Sequence, residues 1–396
     1  MSRSLRDVGS IMVAIATAGM LGACNAGCGG RVTLGIQDDS GVGTIGTGGG
    51  GATAGTNPTT GPDATAGTDA MASTGGQSTS VDAASSPAAP PTRTSSRCSF
   101  TPDLGAGSAG ATASAALVWA RISQFLDNSA VAPPVGLPPQ TTVALAAAEA
   151  NAILDGHFMA GTGAPGLARF LSAWLQAPPR DAGVSVADAW SVKLVDPTAT
   201  LTTLLAGPTA DPHRIGILTD PQVLTARPRI SGRGDWMAAN LFCLQVPPPP
   251  PGLPVLNTGP LPPGMTRRQE LESTLTSPAC ASCHQLMDPQ GDSLEHFDAV
   301  GNYSDIDNGS PVDSSGTLHV SPMLTFLSIV DLAPRLAVSC PVAQCFANAV
   351  MGDAAKSTNL TVTTEEQNHV ANAFADSNFS IRALVQAVVT TPSFLR

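Results

Sequence analysis

Cys280-Ala281-Ser282-Cys283-His284 is a Cys-x-x-Cys-His stretch, and its reading decides what the C-terminal part of this chain is expected to be. Two thiols three positions apart fall on neighbouring faces of one helical turn, where each can add to a vinyl group of the same porphyrin. The adjacent imidazole then reaches the iron from one side. The pattern predicts a single covalent haem c on Cys280 and Cys283, with His284 as an iron ligand. Two other readings are a redox-active Cys-x-x-Cys disulfide and half of a zinc site. Zinc needs further Cys or His ligands at short spacing, and His296 and His319 lack a paired partner.

Outward from the motif, Arg267 to Leu275 reads as an amphipathic helix, and Pro278 marks a break before the attachment turn. Met287 is too close to His284 to reach the opposite face of a porphyrin. Met323 lies far enough downstream for the chain to wrap around the haem edge, and it is the expected second iron ligand. His319, Met351 and an open five-coordinate iron are the alternatives. Asn308-Gly309, flanked by Tyr303 to Asp307 and Pro311 to Asp313, predicts a type I′ hairpin. The spacing of Asp305, Asp307, Asn308 and Asp313 departs from a calcium loop, which lacks its closing Glu here.

The N-terminus reads as an export signal. Arg3 and Arg6 precede an apolar run from Ile11 to Ala18, and Leu21-Gly22-Ala23-Cys24 follows. This order resembles a bacterial lipoprotein signal, 1–23, cut before a lipid-bearing Cys24. The chain is then expected at the periplasm or cell surface, anchored to a membrane by acyl chains. Residues 24–97, rich in Gly, Thr, Ala, Ser and Asp, cannot bury enough apolar surface to offset their ordering entropy. A disordered tether is expected, with an end-to-end distance on the order of 45 Å.

The remainder reads as mainly α. A helical lobe is expected over 98–205, where Ala116, Val118, Ile122 and Leu126, then Leu167, Phe170, Leu171 and Trp174, recur at helical spacing. Prolines 133, 134, 138 and 139 separate these blocks, and His157 and Met159 are placed in the loop before the second. A proline-rich connector region, 206–265, contains a short helix ending near Cys243 and the run Pro247 to Pro251, a polyproline II rod. A small helical haem region with a short β-hairpin fills 266–396. The formal charge of −11, with no basic block, argues against a nucleic-acid partner. No GxSxG elbow, P-loop or HExxH stretch points to a hydrolase.

His213-Arg214-x-Gly216-Ile217-Leu218-Thr219, Arg233-Gly234, the haem motif with Met287-Asp288-Pro289-x-Gly291, Leu294-Glu295-x-Phe297-Asp298-x-x-Gly301 and the ending Leu384 to Phe394 occur here in order. Together they resemble a planctomycete- and myxobacterial-type family of exported proteins, built from successive domains of unknown function with a cytochrome c-like CxxCH motif. The resemblance implies a mainly helical body and a covalent haem. It also implies a Cys243–Cys345 bridge, with Cys340–Cys345 as the local alternative. An arginine of the family after Gly352 is replaced by Asp353. The expected function is electron transfer between haem and a redox partner protein. The alternatives are a haem-dependent peroxidase or oxidase, with His319 or Asp298 as distal group, and a surface-binding protein whose haem motif is vestigial.

Overall fold

The computed structural model describes residues 98–104, 112–177, 183–247, 260–275, 278–320 and 323–396. The expected signal, Cys24, the tether and Pro248 to Pro251 lie outside the described residues. The fold is mainly helical, with two small antiparallel hairpins. Helical spacing in the first block becomes α1 (Ala115–Leu126), whose Val118, Ile122 and Leu126 are buried. Its N-cap Ser114 accepts the Leu117 N–H. The next helix, α2 (Val143–Ala160), contains His157 and Met159, correcting their placement in a loop. Alanine fills both buried positions (Ala146, Ala150) and exposed ones (Ala144, Ala148, Ala152), so no single apolar stripe marks it as a helix. His157 Nε2 contacts Asp127 Oδ1 at 2.7 Å.

After α3 (Pro165–Leu175), α4 (Val186–Leu194) and α5 (Leu201–Ala206), a 3-10 turn at Ile217–Thr219 leads to α6 (Pro221–Ala226) and α7 (Ile230–Leu241). Next come α8 (Arg267–Thr274) and α9 (Pro278–Asp292). Hairpin β1 (Ile306–Asp307) with β2 (Ser310–Pro311) and hairpin β3 (Gly316–Leu318) with β4 (Leu324–Phe326) follow. The chain ends in α10 (Ile329–Leu336), α11 (Cys340–Thr358), α12 (Thr364–Asp376), α13 (Ile381–Val389) and α14 (Pro392–Leu395).

Helix α11 lies at the centre of the packing. Its Phe346 ring meets Phe170 and Trp174 of α3 edge-on, with centroids 5.6 and 5.5 Å apart, and Phe374 of α12 at 6.1 Å. Aromatic pairs at such spacing add about 0.5–1.5 kcal/mol each to simple burial. Residues from the expected connector, Ile217, Leu218, Trp236 and Met237, belong to the same buried cluster. The C-terminal end seats on α1 through Arg121, whose guanidinium donates to the carbonyls of Phe394 and Arg396 at 2.6 and 2.7 Å.

Both disulfides end on α11. Cys98 joins Cys340, and Cys243, just beyond α7, joins Cys345. They span 242 and 102 residues of chain, and loops of that length lose enough unfolded-state entropy to stabilise by about 5 kcal/mol each in the chain-entropy account.

Local turn chemistry shapes the first hairpin. Asp307 pairs with Ser310 across a two-residue loop, in which Asn308 and Gly309 have φ of 49° and 89°. Both values are positive, as a type I′ turn requires. The Asn308 side-chain amide donates to the carbonyls of Pro262 and Met265, and Asp307 Oδ2 accepts the Arg267 N–H at 2.6 Å. The hairpin thereby fixes the start of α8.

Candidate functional site

Helices α7 and α9 cross with their backbones in contact. A Cβ on Gly234 would overlap the Met287 carbonyl, and one on Gly291 would overlap the Ile230 carbonyl. Glycine at both positions is what lets the helices approach so closely. The face of α9 that meets α7 therefore carries His284, Met287, Asp288 and Gly291, the spacing of one helical stripe.

On that stripe His284 Nδ1 lies 2.8 Å from Asp288 Oδ2, and Ser231 Oγ of α7 lies 3.4 Å from the same nitrogen. Burial pushes the Asp288 carboxyl up, and hydrogen bonds from Ser231 and His284 pull it back. Cys280 is one turn before His284, at the same four-residue step that separates His284 from Asp288. Residues four apart share one side of a helix, so Cys280 and His284 lie on the same side of α9. Cys280 and Cys283 are both free and half-buried, whereas the other four described cysteines are in disulfides.

The residues do not fit a covalent haem, and that expectation is overturned. His284 Nδ1 is engaged by Asp288 and lies 3.4 Å from Ser231 Oγ of α7, with no third metal-ligating side chain gathered beside that pair among the described residues. The expected second ligand, Met323, is 64 % exposed at the edge of β4, while Met351 is sealed inside α11. Among the described residues, no group of three or more His, Cys, Asp or Glu side chains is placed to hold a metal ion. With the haem go the iron ligation by His284 and Met323, the haem-borne electron transfer, the peroxidase or oxidase alternative and the cytochrome c-like character of 266–396. His319 is exposed, and the Asp298 carboxylate is taken up by the N–H groups of Val300 and Asn302.

Below the His284 stripe lie carboxyls that reasoning from the sequence did not single out. Asp292 is pushed up to about 7, chiefly by burial, with Arg268 opposing and neighbouring carboxylates adding to the rise. Glu295 is pushed up to about 8, again chiefly by burial. Their signal was present as Asp288, Asp292 and Glu295 at four- and three-residue steps. Arg268 lies among them: its backbone N–H donates to Glu295 Oε1 at 3.1 Å, and its guanidinium reaches Glu272, the carbonyls of Asp313 and Ser315, and Asp292 Oδ2 at 3.7 Å. Buried Arg233 of α7 donates to the carbonyls of Arg227, Leu294, Phe297 and Asp298, so α7 is latched to the chain leaving α9. Nearby, the Tyr303 ring is stacked between the imidazoles of His213 and His296, with centroids 3.9 and 5.0 Å away.

Residues 214–307 match the model of a family described as PSCyt3, protein of unknown function (DUF1588). That segment contains α7, α8, α9 and the first strand of the first hairpin, and with them Ser231, Arg233, Arg268, Cys280, Cys283, His284, Asp288, Asp292 and Glu295. No curated protein and no solved structure matches the chain.

Proposed function

We propose that Cys280 and Cys283 form a thiol–disulfide exchange site on an exported protein anchored to a membrane through lipid at Cys24. The observation that carries this reading is the row Cys280, His284, Asp288 along α9, with the His284–Asp288 contact at 2.8 Å and Cys283 beside it. A nucleophile, a base and a group that orients the base are the parts an activated thiol needs. Residues three apart in a helix have Cβ atoms about 5–6 Å apart, within the span over which a disulfide can close with small adjustment. Two disulfides elsewhere in the fold favour an oxidising, extracytoplasmic setting.

In the exchange, His284 takes the Cys280 proton and the thiolate attacks one sulfur of a partner protein's disulfide. The partner's S–S bond breaks, a mixed disulfide forms, and the released partner sulfur takes up a proton. Cys283 then attacks Cys280 Sγ, loses its own proton and expels the second partner sulfur, which is protonated in turn. Two electrons and two protons have passed to the partner, and Cys280–Cys283 is left as a disulfide. The reverse sequence oxidises a partner dithiol.

The test is equilibration of the full chain across a series of glutathione redox buffers, followed by thiol trapping and peptide mass spectrometry. Cys280 and Cys283 are expected to lose two hydrogens together as a single two-electron couple, while the Cys98–Cys340 and Cys243–Cys345 bridges stay closed. Two thiols that alkylate independently at every ratio would overturn the reading.

A further inference from the structure

Between the first turn of α7, helix α8 and the segment after α9 lies a cleft of about 420 Å³. Its hydrocarbon walls come from Pro228, Ile230, Leu271 and Phe297. Of the arginines in the lining, Arg233 is committed to four carbonyls and Arg267 to Glu270 of the same lining at 2.7 Å, and Arg267 and Arg229 are both exposed. Glu295, 9 % exposed, belongs to the same wall. One of its oxygens accepts the Arg268 N–H, and the other, Oε2, is buried without a hydrogen-bond partner.

A buried polar atom left unpaired costs about 1–3 kcal/mol, and a donor entering the cleft would recover it. Charge selects which donor. The carboxylates of Asp292 and Asp307 act on Glu295 through space and disfavour its ionisation, as burial does. A cation reverses both effects, whereas a hydroxyl reverses neither. The walls suit an alkyl or aryl body behind such a head. We infer that the cleft binds an organic ammonium ion, its charged head on Glu295 and its hydrocarbon body against Ile230, Leu271 and Phe297. The site does not depend on the thiols, so it stands or falls separately from the exchange chemistry.

The experiment is calorimetric titration of the full chain with phenethylamine at about pH 6.5, below the Glu295 titration near 8, in two buffers of different ionisation enthalpy. Saturable one-site binding is expected, with release of about one proton per ammonium bound as Glu295 ionises. Glu295→Gln should weaken that binding at least tenfold. The proton count on the unaltered chain decides the matter even where the variant does not fold. The proposal is overturned by an absence of saturable binding, by binding without proton release, or by 2-phenylethanol binding as tightly as the amine.

Discussion

Arg169 Nη2 of α3 and Asp353 Oδ2 of α11 lie 2.7 Å apart. The same guanidinium donates to the Phe125 carbonyl at 3.2 Å and to Asn128 Oδ1 at 2.6 Å, both at the C-terminal end of α1. Three helices thus meet on one ion pair. Asp353→Asn is expected to lower stability by roughly 1–2 kcal/mol, and Asp353→Arg by more, since it sets two guanidiniums against each other in a half-buried place. Urea midpoints of the two variants check the order. Equal midpoints would sink it.

Close helix crossing gives a second prediction. Gly234→Ala inserts a methyl against the Met287 carbonyl and should cost about 1–3 kcal/mol. Gly232→Ala, in the same helix, meets nothing nearer than Arg227 Cβ at 4.0 Å and should be neutral or gain up to about 1 kcal/mol. Thermal melts of the pair compare the two.

Stability should fall as pH rises from about 4.5 to about 8. Glu295 and Asp292 have folded values of about 8 and about 7, above their ordinary 4.5 and 3.8. The folded chain therefore holds more protons than the unfolded one in this window, and its advantage, complete below the unfolded values, is lost as the pH passes the folded ones. Asp196 and Asp313, held low by hydrogen bonds from Thr198 and Ser315, have finished ionising below the window. A drop of a few kcal/mol is expected. Glu295→Gln should flatten it, as measured by denaturant unfolding at stepped pH.

Removing a bridge should show in the same assay. Replacing Cys243 and Cys345 together by Ala opens a bridge spanning 102 residues and should cost about 2–5 kcal/mol. An unchanged midpoint would mean that the unfolded chain is not held by this closure.

For the thiol pair, His284→Ala should slow alkylation of Cys280 by at least tenfold near neutral pH, because the base is gone. Cys283→Ala should stall exchange at the mixed disulfide, so that oxidised glutathione leaves a stable adduct on Cys280. Mass spectrometry reads both results.

Some of this fold was legible in the residues and some was not, for definable reasons. Val118, Ile122 and Leu126 announce the buried face of α1, since the period of a helix is written locally. Asn308-Gly309 announces its turn because few residues accept positive φ. Helix α2 hides its face under alanine. The haem reading of Cys280 to His284 failed because a five-residue motif does not tell which further ligands the fold will bring beside it, and among the described residues no metal-holding group is gathered there. The carboxyls of Asp292 and Glu295 gained their character from burial, a property of the packed chain alone.

The bridge between Cys98 and Cys340 also sets how the folded body answers a mechanical load. A pull on the chain ahead of Cys98 passes through the two sulfurs directly into the first turn of α11. Residues 99–339 then form a closed loop that carries none of the tension. A body hung from its N-terminus by this link would be loaded at its central helix, and α1 to α10 could not be unspooled one by one.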